Sequence, residues 1–385
     1  MSLAETWRAA VRQELGAAVL LRHQLHERPH VSGDERETAD LLTEAIGRGS
    51  GRVVARTGRL VDVADAAGGR RGARAVALRT ELDALPVHER TGVPWASSSG
   101  VMHACGHDVH MAALVAVARA AAHVPLPVPL LALLQPREEG VDSGARDVVA
   151  EGALAGVDAI VAAHVQPNLP AGHIGVTPGA VNAGIDEFTI TVRGRGGHSG
   201  YPHTVTDSVL ALASIVVSLQ QLGARRVDPV VGIACMVNQL RAGSANNVVP
   251  DSAVGSGTVR TMRVEDRTRA RDALLDIASH VAAAHGCTAE VDLPLGEPPL
   301  VNDEHLATRA YLVLEEMGHP VTADFRSFGS DDFAHYCADT RGLMMFVGTG
   351  DAGGGLHDAT FLPRDEYVGT VADALVAGYC AAVAG

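Results

Sequence analysis

Short apolar runs alternate with helical stretches along the first part of the chain. The runs ARAVALR, VPLLALLQP and VDAIVAAHV are rich in Val, Leu and Ala, which is typical of buried strands. A helix from about His110 to Ala122 and a second one along DSGARDVVAEGAL lie between them. This alternation predicts βαβ units and an α/β fold built around a mostly parallel sheet.

Polar side chains follow these three apolar runs and a fourth one, GLMMFVGTG, which leads to His357. In open parallel sheets, ligands bind at the carboxyl ends of the strands. The side chains at these ends are acids and imidazoles: Glu81 and Asp83, Glu138 and Glu139, His164, and His357. We therefore expect them to share one edge of the sheet.

The middle of the chain follows a different pattern. The runs DEFTITVRG, VVGIACMVNQL, AVGSGTVRTM and TAEVDL predict strands, and two long amphipathic stretches predict helices, in the order βαββαβ. That order is typical of a ferredoxin-like α+β sandwich. A chain of 385 residues also exceeds the usual size of a single core, which is roughly 250 to 300 residues. We predict a main domain of residues 1–185 and 295–385, interrupted by an inserted domain of residues 186–294.

The amino-acid composition excludes several classes of partner and of chemistry. The net charge of -14 disfavours nucleic acid and anionic membranes as partners. The chain has no Lys, which excludes Schiff-base chemistry, pyridoxal phosphate attachment and a phosphate-loop Lys. Five widely spaced Cys residues argue against a disulfide framework and for a reducing compartment. The N-terminus predicts an amphipathic helix rather than a signal or membrane segment, so we expect a cytoplasmic protein.

The segment MHACGHDVHMAALV combines two metal-compatible side chains. Cys105 and His107 are one residue apart in a predicted turn just before a helix. A thiolate and a neutral imidazole both bind zinc and similar metals. The alternative is a buried Cys beside a polar loop, since free Cys is among the most buried residue types.

The segment QPREEG places Glu138 and Glu139 side by side after an apolar run. Neighbouring residues in extended chain point in opposite directions, so one carboxylate can bind a metal while the other faces substrate and water. A base beside a metal-activated water is what amide hydrolysis requires. A solvated charge pair at the start of a helix is the alternative.

His164 and His357 are each ordinary when taken alone, because a lone His is more often a hydrogen-bonded structural residue than a ligand. Their convergence with Cys105, His107 and Glu139 changes the interpretation. Five metal-compatible side chains from four segments at one sheet edge predict a metal centre.

The inserted domain contributes three further candidates. His198 lies in the Gly-rich segment GRGGHSGYPH, where the backbone can approach a ligand closely. Asn247 and Arg260 follow later, and Arg is a natural partner for a substrate carboxylate. A tight loop for His198 and a structural role for Asn247 and Arg260 are the alternatives.

Nine motifs in order resemble those of the aminoacylase and carboxypeptidase metallopeptidase family. They are LRHQLHERP, ALRTELDALPV, GVMHACGHDVH, LLQPREEG, HVQPNLPAGHIGV, GRGGHSGYPH, NNVVPD, GSDDF and LHDATF, and they extend from about Leu21 to the C-terminus. The match is greatest with the amidohydrolase branch that contains hippurate hydrolase, auxin-conjugate hydrolases and N-acetyl-diaminopimelate deacetylase.

The resemblance implies a metallohydrolase catalytic domain with a lid and dimerisation domain inserted in it. It implies a site for two divalent metal ions held by Cys105, His107, Glu139, His164 and His357, with Glu138 as general base. Asp83 matches a residue that supports the metals without binding them. His198 matches a residue that reaches the active site of the partner subunit and stabilises the oxyanion, which implies a homodimer. Asn247 and Arg260 match positions near the substrate carboxylate.

The expected function is hydrolysis of N-acyl amino acids by metal-activated water. A dipeptidase or carboxypeptidase using the same centre, and a catalytically silent ligand-binding homologue, are the alternatives. Zinc and manganese lead the candidate metals, and cobalt and nickel also suit these ligands. The sequence departs from the family pattern at His30, Glu81 and Arg137, and we expect Arg137 to affect the pKa of the neighbouring base or the substrate preference.

Overall fold

The computed structural model describes residues 1–67, 74–140, 142–350 and 353–384. The chain forms two compact units. Unit 1 comprises Met1–Gly179, Val301–Phe325 and Asp332–Gly385, and unit 2 comprises Ala180–Leu300 and Arg326–Asp331. The sequence pattern does not indicate that Arg326–Asp331 joins unit 2. Over the described ranges, no helix combines the length and the apolar character needed to cross a bilayer.

Helices and strands alternate along most of the described residues of the two units. The helices are α1 (Leu3–Glu27), α2 (Arg36–Ile46), α3 (His107–Ala121), α4 (Gly144–Ala150), α5 (Ser208–Leu219), α6 (Val264–Ala284), α7 (Glu304–Glu316) and α8 (Glu366–Val383). The strands are β1 (Arg52–Val54), β2 (Gly58–Ala64), β3 (Ala75–Glu81), β4 (Leu130–Gln135), β5 (Val157–Gln166), β6 (Ile174–Gly175), β7 (Gly179–Asn182), β8 (Gly184–Arg193), β9 (Gly197–His198), β10 (Ile233–Ala242), β11 (Val248–Val249), β12 (Ser252–Thr261), β13 (Thr288–Asp292), β14 (Leu300–Asn302), β15 (Val321–Thr322) and β16 (Arg341–Gly348).

Eight strands of unit 1 form one sheet in the order β1-β2-β4-β3-β5-β16-β6-β15. The central strands β4, β3, β5 and β16 are parallel. Towards the edges, β2 is antiparallel to both β1 and β4, and β6 is antiparallel to β16. The β6–β15 pairing at the far edge is parallel again, so the sheet is mixed, with four parallel and three antiparallel pairings. The physical reason at one edge is the β1–β2 hairpin, whose tight turn has positive φ at Ala55 (46°) and Arg56 (73°) and can join only antiparallel strands.

The core of unit 1 is built from α1, α3 and α8, which contact one another and the central strands. Every residue of α3 except Arg119 is buried, in agreement with its apolar sequence. At Gly378 of α8, an added Cβ would lie 2.4 Å from Val161 Cγ1 on β5. The helix therefore packs directly on the strand that carries His164.

Unit 2 contains a four-stranded antiparallel sheet in the order β10-β12-β8-β13. Alternate residues of β8, including Phe188, Ile190 and Val192, are buried with apolar residues of α5 and α6 in a second core. Glu187 and Arg193 of the same strand are exposed. One face of the sheet thus packs on the two helices, as period-two patterning requires.

A buried ionic network fixes the start of α3 to α1. Arg22 Nε donates to Asp108 Oδ2 at 2.9 Å, and His26 Nδ1 lies 3.2 Å from the same oxygen. His26 Nε2 lies 3.1 Å from Glu89 Oε1. Burial opposes protonation of His26, but the charges of Asp108 and Glu89 outweigh it and raise the pKa of His26 to about 9.

This network predicts an alkaline loss of stability. Because the folded-state pKa of His26 lies above the unfolded value, the native state binds more protons between pH 6.5 and about 9. We expect the charged pairs of His26 to stabilise the fold fully below pH 6.5 and to lose roughly 3 kcal/mol as pH rises through about 9. Urea denaturation at about pH 6 and about pH 10 measures the decline. The loss of unfolding free energy should be smaller in His26→Gln than in the wild type. An equal loss in both proteins would contradict the assignment of this effect to His26.

Candidate metal centre

Four segments of unit 1 bring the predicted ligands together, three of them at the carboxyl edge of the sheet and the fourth in the loop of His357. His164 lies near the end of β5, and Glu139 follows β4. Cys105 occupies the turn before α3, whereas His107 is the first residue of that helix rather than part of the turn. Gly106 between them has a φ of 83°, and an added Cβ would lie 2.5 Å from Val165 Cγ2. Only glycine fits this turn.

The two buried imidazoles are oriented by main-chain carbonyl groups. His107 Nδ1 donates to the carbonyl oxygen of Asp83 at 2.9 Å, and His164 Nδ1 donates to that of Val165 at 2.6 Å. We assign these tautomers from the hydrogen-bond partners. Both bonds leave the Nε2 lone pair free, which is the arrangement of metal-binding histidines. His164 Nε2 lies 3.4 Å from Cys105 Sγ.

Two carboxylates and a third imidazole complete the cluster. Glu138 Oε2 lies 3.8 Å from His107 Nε2, and Glu139 Oε1 lies 4.0 Å from the same atom. Glu139 Oε1 also lies 3.2 Å from His357 Nε2. His357 has a φ of 68° and is half exposed, so its strained loop presents the ring from the outer side of the cluster.

Asp83 lies beneath the cluster and contacts three of its neighbours. Its Oδ2 accepts hydrogen bonds from Glu139 N at 2.8 Å and from Ser32 Oγ at 2.5 Å. Its main-chain oxygen holds His107, as described above. Asp83 thus connects a candidate carboxylate ligand to a candidate imidazole ligand.

The electrostatic environment of the cluster favours a cation. Burial and the neighbouring charges of Glu139 and Glu138 raise the pKa of the Cys105 thiol well above its usual value. Burial and the neighbouring charge of His110 lower the pKa of His164 to about 3. Burial disfavours ionisation of Glu139, but its contacts with His357 and His107 prevail and lower its pKa to about 2. A bound cation would stabilise the thiolate, the neutral imidazole and the carboxylate together.

The donor set fits a metal site. Asp83 Oδ1 and His107 Nε2 are buried and have no hydrogen-bond partner among the described residues. Buried polar groups are normally paired, so such atoms indicate a ligand. The ligand atoms form overlapping groups within 4.8 Å, namely Cys105 with His107 and His164, Cys105 with Glu139 and His357, and His107 with Glu138 and Glu139. Thiolate, imidazole and carboxylate donors suit zinc and related divalent metals.

The sequence of this chain is similar to a known family of peptidases and to several deacetylases. Residues 77–377 match the model of peptidase family M20/M25/M40. The chain belongs to this family. An N-acetyl-L-cysteine deacetylase from Bacillus subtilis is 34% identical over 335 residues, which are 86% of this chain and 79% of the deacetylase. An N-acetyldiaminopimelate deacetylase from Halalkalibacterium halodurans is 30% identical over 93% of this chain and 97% of its own length.

The fold comparison agrees. The crystal structure of a dinuclear metal-binding peptidase of the M20 family from Bacillus subtilis matches with a TM-score of 0.83 and 29% identity, covering 97% of this chain and 99% of that one. The resemblance inferred from the sequence motifs is confirmed, and the chain is an M20-family hydrolase.

A buried network next to the candidate metal centre was not predicted from the sequence. His110 Nδ1 lies 3.0 Å from Glu81 Oε2, and His110 Nε2 accepts from Val165 N at 2.9 Å. Glu81 in turn pairs with Arg79, which donates to Asp332 Oδ1 at 3.0 Å. His107 and His110 are three residues apart and share one face of a helix. That spacing could have indicated that His110 lies beside the candidate ligands.

The three candidates of the inserted domain all lie in unit 2. His198 on β9 is exposed and pairs with Val248 of β11, and Ser199 N donates to the carbonyl oxygen of Asn247 at 3.1 Å. His198 and Asn247 are therefore neighbours. Arg260 on β12 is held separately, with Nη1 donating to the carbonyl oxygen of Phe328 at 2.7 Å.

The three departures from the family motifs occupy distinct surroundings. His30 Nδ1 lies 2.9 Å from Thr38 Oγ1, and Glu81 belongs to the network with Arg79. The Arg137 guanidinium forms ion pairs with Asp142 at 2.7 Å and Asp147 at 2.5 Å. Its charge is thus balanced by two carboxylates other than the candidate base.

Proposed function

We propose that the protein hydrolyses the amide bond of N-acyl amino acids, with two divalent metal ions bound by Cys105, His107, Glu139, His164 and His357. The observation that carries this proposal is the convergence of the unpaired His107 Nε2 with the Cys105 thiol, His164 Nε2 and two carboxylates. Zinc and manganese are the leading metals, followed by cobalt and nickel. When bound, such metals lower the pKa of a water ligand and polarise the substrate carbonyl.

Glu138 is the proposed general base. Its carboxylate lies 3.8 Å from His107 Nε2, so it faces the ligand atoms instead of solvent. It takes a proton from the attacking water as the new carbon–oxygen bond forms. It then gives this proton to the amine nitrogen as the amide bond breaks, which regenerates the carboxylate.

His198 is the proposed oxyanion donor, acting on the site of a partner subunit. Gly200 N donates to His198 Nδ1 at 3.0 Å, so in the neutral ring the proton lies on Nε2. The exposed Nε2–H is then free to donate to a developing negative charge. Asn247 and Arg260 are proposed to bind the substrate carboxylate, for which a guanidinium is well suited.

A homodimer through unit 2 follows from the trans role of His198. The edge strand β10 pairs only with β12 among the described residues. Two of its apolar side chains are exposed, Met236 by 57% and Leu240 by 58%. An exposed apolar edge is a template for pairing with another chain, so we propose β10 as part of the dimer contact.

An acidic side chain introduced on β10 should dissociate the proposed dimer. We expect Leu240→Asp to shift the protein from twice the monomer mass to the monomer mass in light scattering, because a buried unpaired carboxylate opposes pairing. Turnover should fall with the dimer fraction. Val230→Asp is the control, since Val230 is 91% exposed and lies outside the strand. A monomeric wild-type protein would refute the dimer.

The proposed function is tested by metal analysis together with a substrate panel. We expect about two divalent metal ions per chain, loss of activity on chelation, and recovery when metal is restored. Acetylated and benzoylated amino acids should be hydrolysed faster than dipeptides. Faster hydrolysis of dipeptides would indicate the peptidase alternative, and a metal-loaded protein inactive on the whole panel would indicate a silent homologue.

A further inference from the structure

The loop between β4 and α4 carries both Glu138 and Glu139, and the residue before them has an unusual backbone. Arg137 has a φ of 55°, in the left-handed region that side chains other than glycine rarely adopt. The residue is nevertheless buried, with only 4% of its surface exposed. A conformation of this kind persists only where surrounding contacts impose it.

Main-chain contacts on both sides of Arg137 close the loop. Glu35 Oε1 accepts from Arg137 N at 3.0 Å, and Gly144 N donates to the Arg137 carbonyl oxygen at 3.1 Å. An added Cβ at Gly144 would lie 1.8 Å from the carbonyl oxygen of Pro136, so the two ends of the loop touch. The two ends of the loop are thus held together at Arg137.

The Arg137 side chain connects this loop to two other elements. Nη1 donates to the Asp142 carbonyl oxygen at 2.8 Å, within the loop itself. Nη2 donates to Asp147 Oδ2 on α4 at 2.5 Å and to the carbonyl oxygen of Ala55 in the β1–β2 turn at 3.4 Å. One guanidinium therefore bridges the loop, a helix and a hairpin.

We propose that Arg137 is a positioning residue, whose guanidinium fixes the loop so that the Glu138 carboxylate stays at the candidate metal centre. The inference rests on the base role proposed for Glu138 and adds the group that holds the base in place. The effect is geometric, since the loop backbone transmits it to Glu138.

Three substitutions distinguish the effect of the guanidinium contacts from the effect of backbone strain at position 137. Arg137→Ala removes the side-chain contacts, Arg137→Gly removes them and also suits the positive φ, and Arg137→Lys keeps a positive charge with fewer donors. We expect kcat to fall roughly 10-fold to 100-fold in the Ala and Gly variants, with KM changed less than about two-fold. The Lys variant should recover part of kcat.

Arg56→Gln is the matched control. Arg56 also has positive φ and pairs with Asp142 at 2.8 Å, but its side chain is 63% exposed. The activity of this variant should stay near that of the wild type. Full kcat in Arg137→Ala would overturn the proposal, and full recovery in Arg137→Gly would assign the effect to strain.

Hydrogen exchange in the metal-free protein gives a readout that does not depend on activity. Amides of Glu138, Glu139 and Gly140 should exchange faster in Arg137→Ala and Arg137→Gly than in the wild type or Arg56→Gln. Unchanged exchange would contradict the positioning role. If Glu138→Gln retained turnover, the proposed function would fail while the exchange result still reported on the loop.

Discussion

Glu138→Gln should lower kcat on an N-acyl amino acid by about 10³-fold while the protein keeps its metal. The amide has nearly the shape of the carboxylate but cannot accept the proton of the attacking water. The side chain of Glu138 is only 11% exposed, so bulk water cannot readily replace it as a base. Steady-state kinetics together with elemental analysis of the same preparation measure both effects.

The neighbouring residue offers a matched comparison. Glu139 is the proposed ligand, with Oε1 3.2 Å from His357 Nε2. We therefore expect Glu139→Gln to lose metal affinity as well as turnover, and by more than the roughly 10-fold to 100-fold typical of residues that only support a ligand. Equal metal content in both variants with equal loss of kcat would show that the two carboxylates do not have separate roles. Substantial turnover in Glu138→Gln would exclude it as the base.

Arg79→Met should destabilise unit 1 by about 3–5 kcal/mol, because it leaves buried carboxylates without their cation. Arg79 is fully buried, pairs with Glu81, and donates to Asp332 Oδ1 at 3.0 Å and to Gln135 Oε1 at 2.8 Å. Glu81 also contacts His110, and Asp332 also accepts hydrogen bonds from Gln135 Nε2 and Ser143 Oγ. The Arg79 guanidinium brings a full positive charge to both acids. The shift of the urea transition of unit 1 measures the loss.

Arg341→Met is the control for this prediction. Arg341 lies at the start of β16 in the same sheet and pairs with Asp158, but its side chain is 33% exposed and that of Asp158 is 38% exposed. A pair open to solvent contributes at most about 1 kcal/mol. Similar losses in Arg79→Met and Arg341→Met would mean that burial does not govern the energetics of these pairs.

The sequence predicted the central sheet well because its signal is local. Apolar runs mark β3, β4, β5 and β16, and the carboxyl-edge rule then brings their terminal side chains together without any knowledge of distances. The inclusion of His107 in α3 was missed, because the helix begins at the sharp turn of Gly106 instead of at the first long apolar stretch. The antiparallel strands β1 and β6 have only three and two residues, so their apolar pattern is weak.

The supporting contacts of the site could not be predicted, because they depend on pairs far apart in the chain. Arg79 and Asp332 are 253 positions apart, and His26 and Glu89 are 63 apart. Nothing in one sequence couples such positions. The separate surroundings of Glu138 and Arg137 were also hidden, because adjacency along the chain does not show that the guanidinium pairs with Asp142 and Asp147.

The carbonyl groups that orient His107 and His164 belong to the main chain at Asp83 and Val165. Every amino acid supplies the same carbonyl, so no side-chain substitution at those two positions deletes the acceptor itself. The orientation of both imidazole rings therefore depends on the path of the main chain. Side-chain substitutions at Asp83 and Val165 that keep this path leave the acceptors in place. Transplanting this centre into another scaffold would require copying two peptide planes in addition to the ligand side chains.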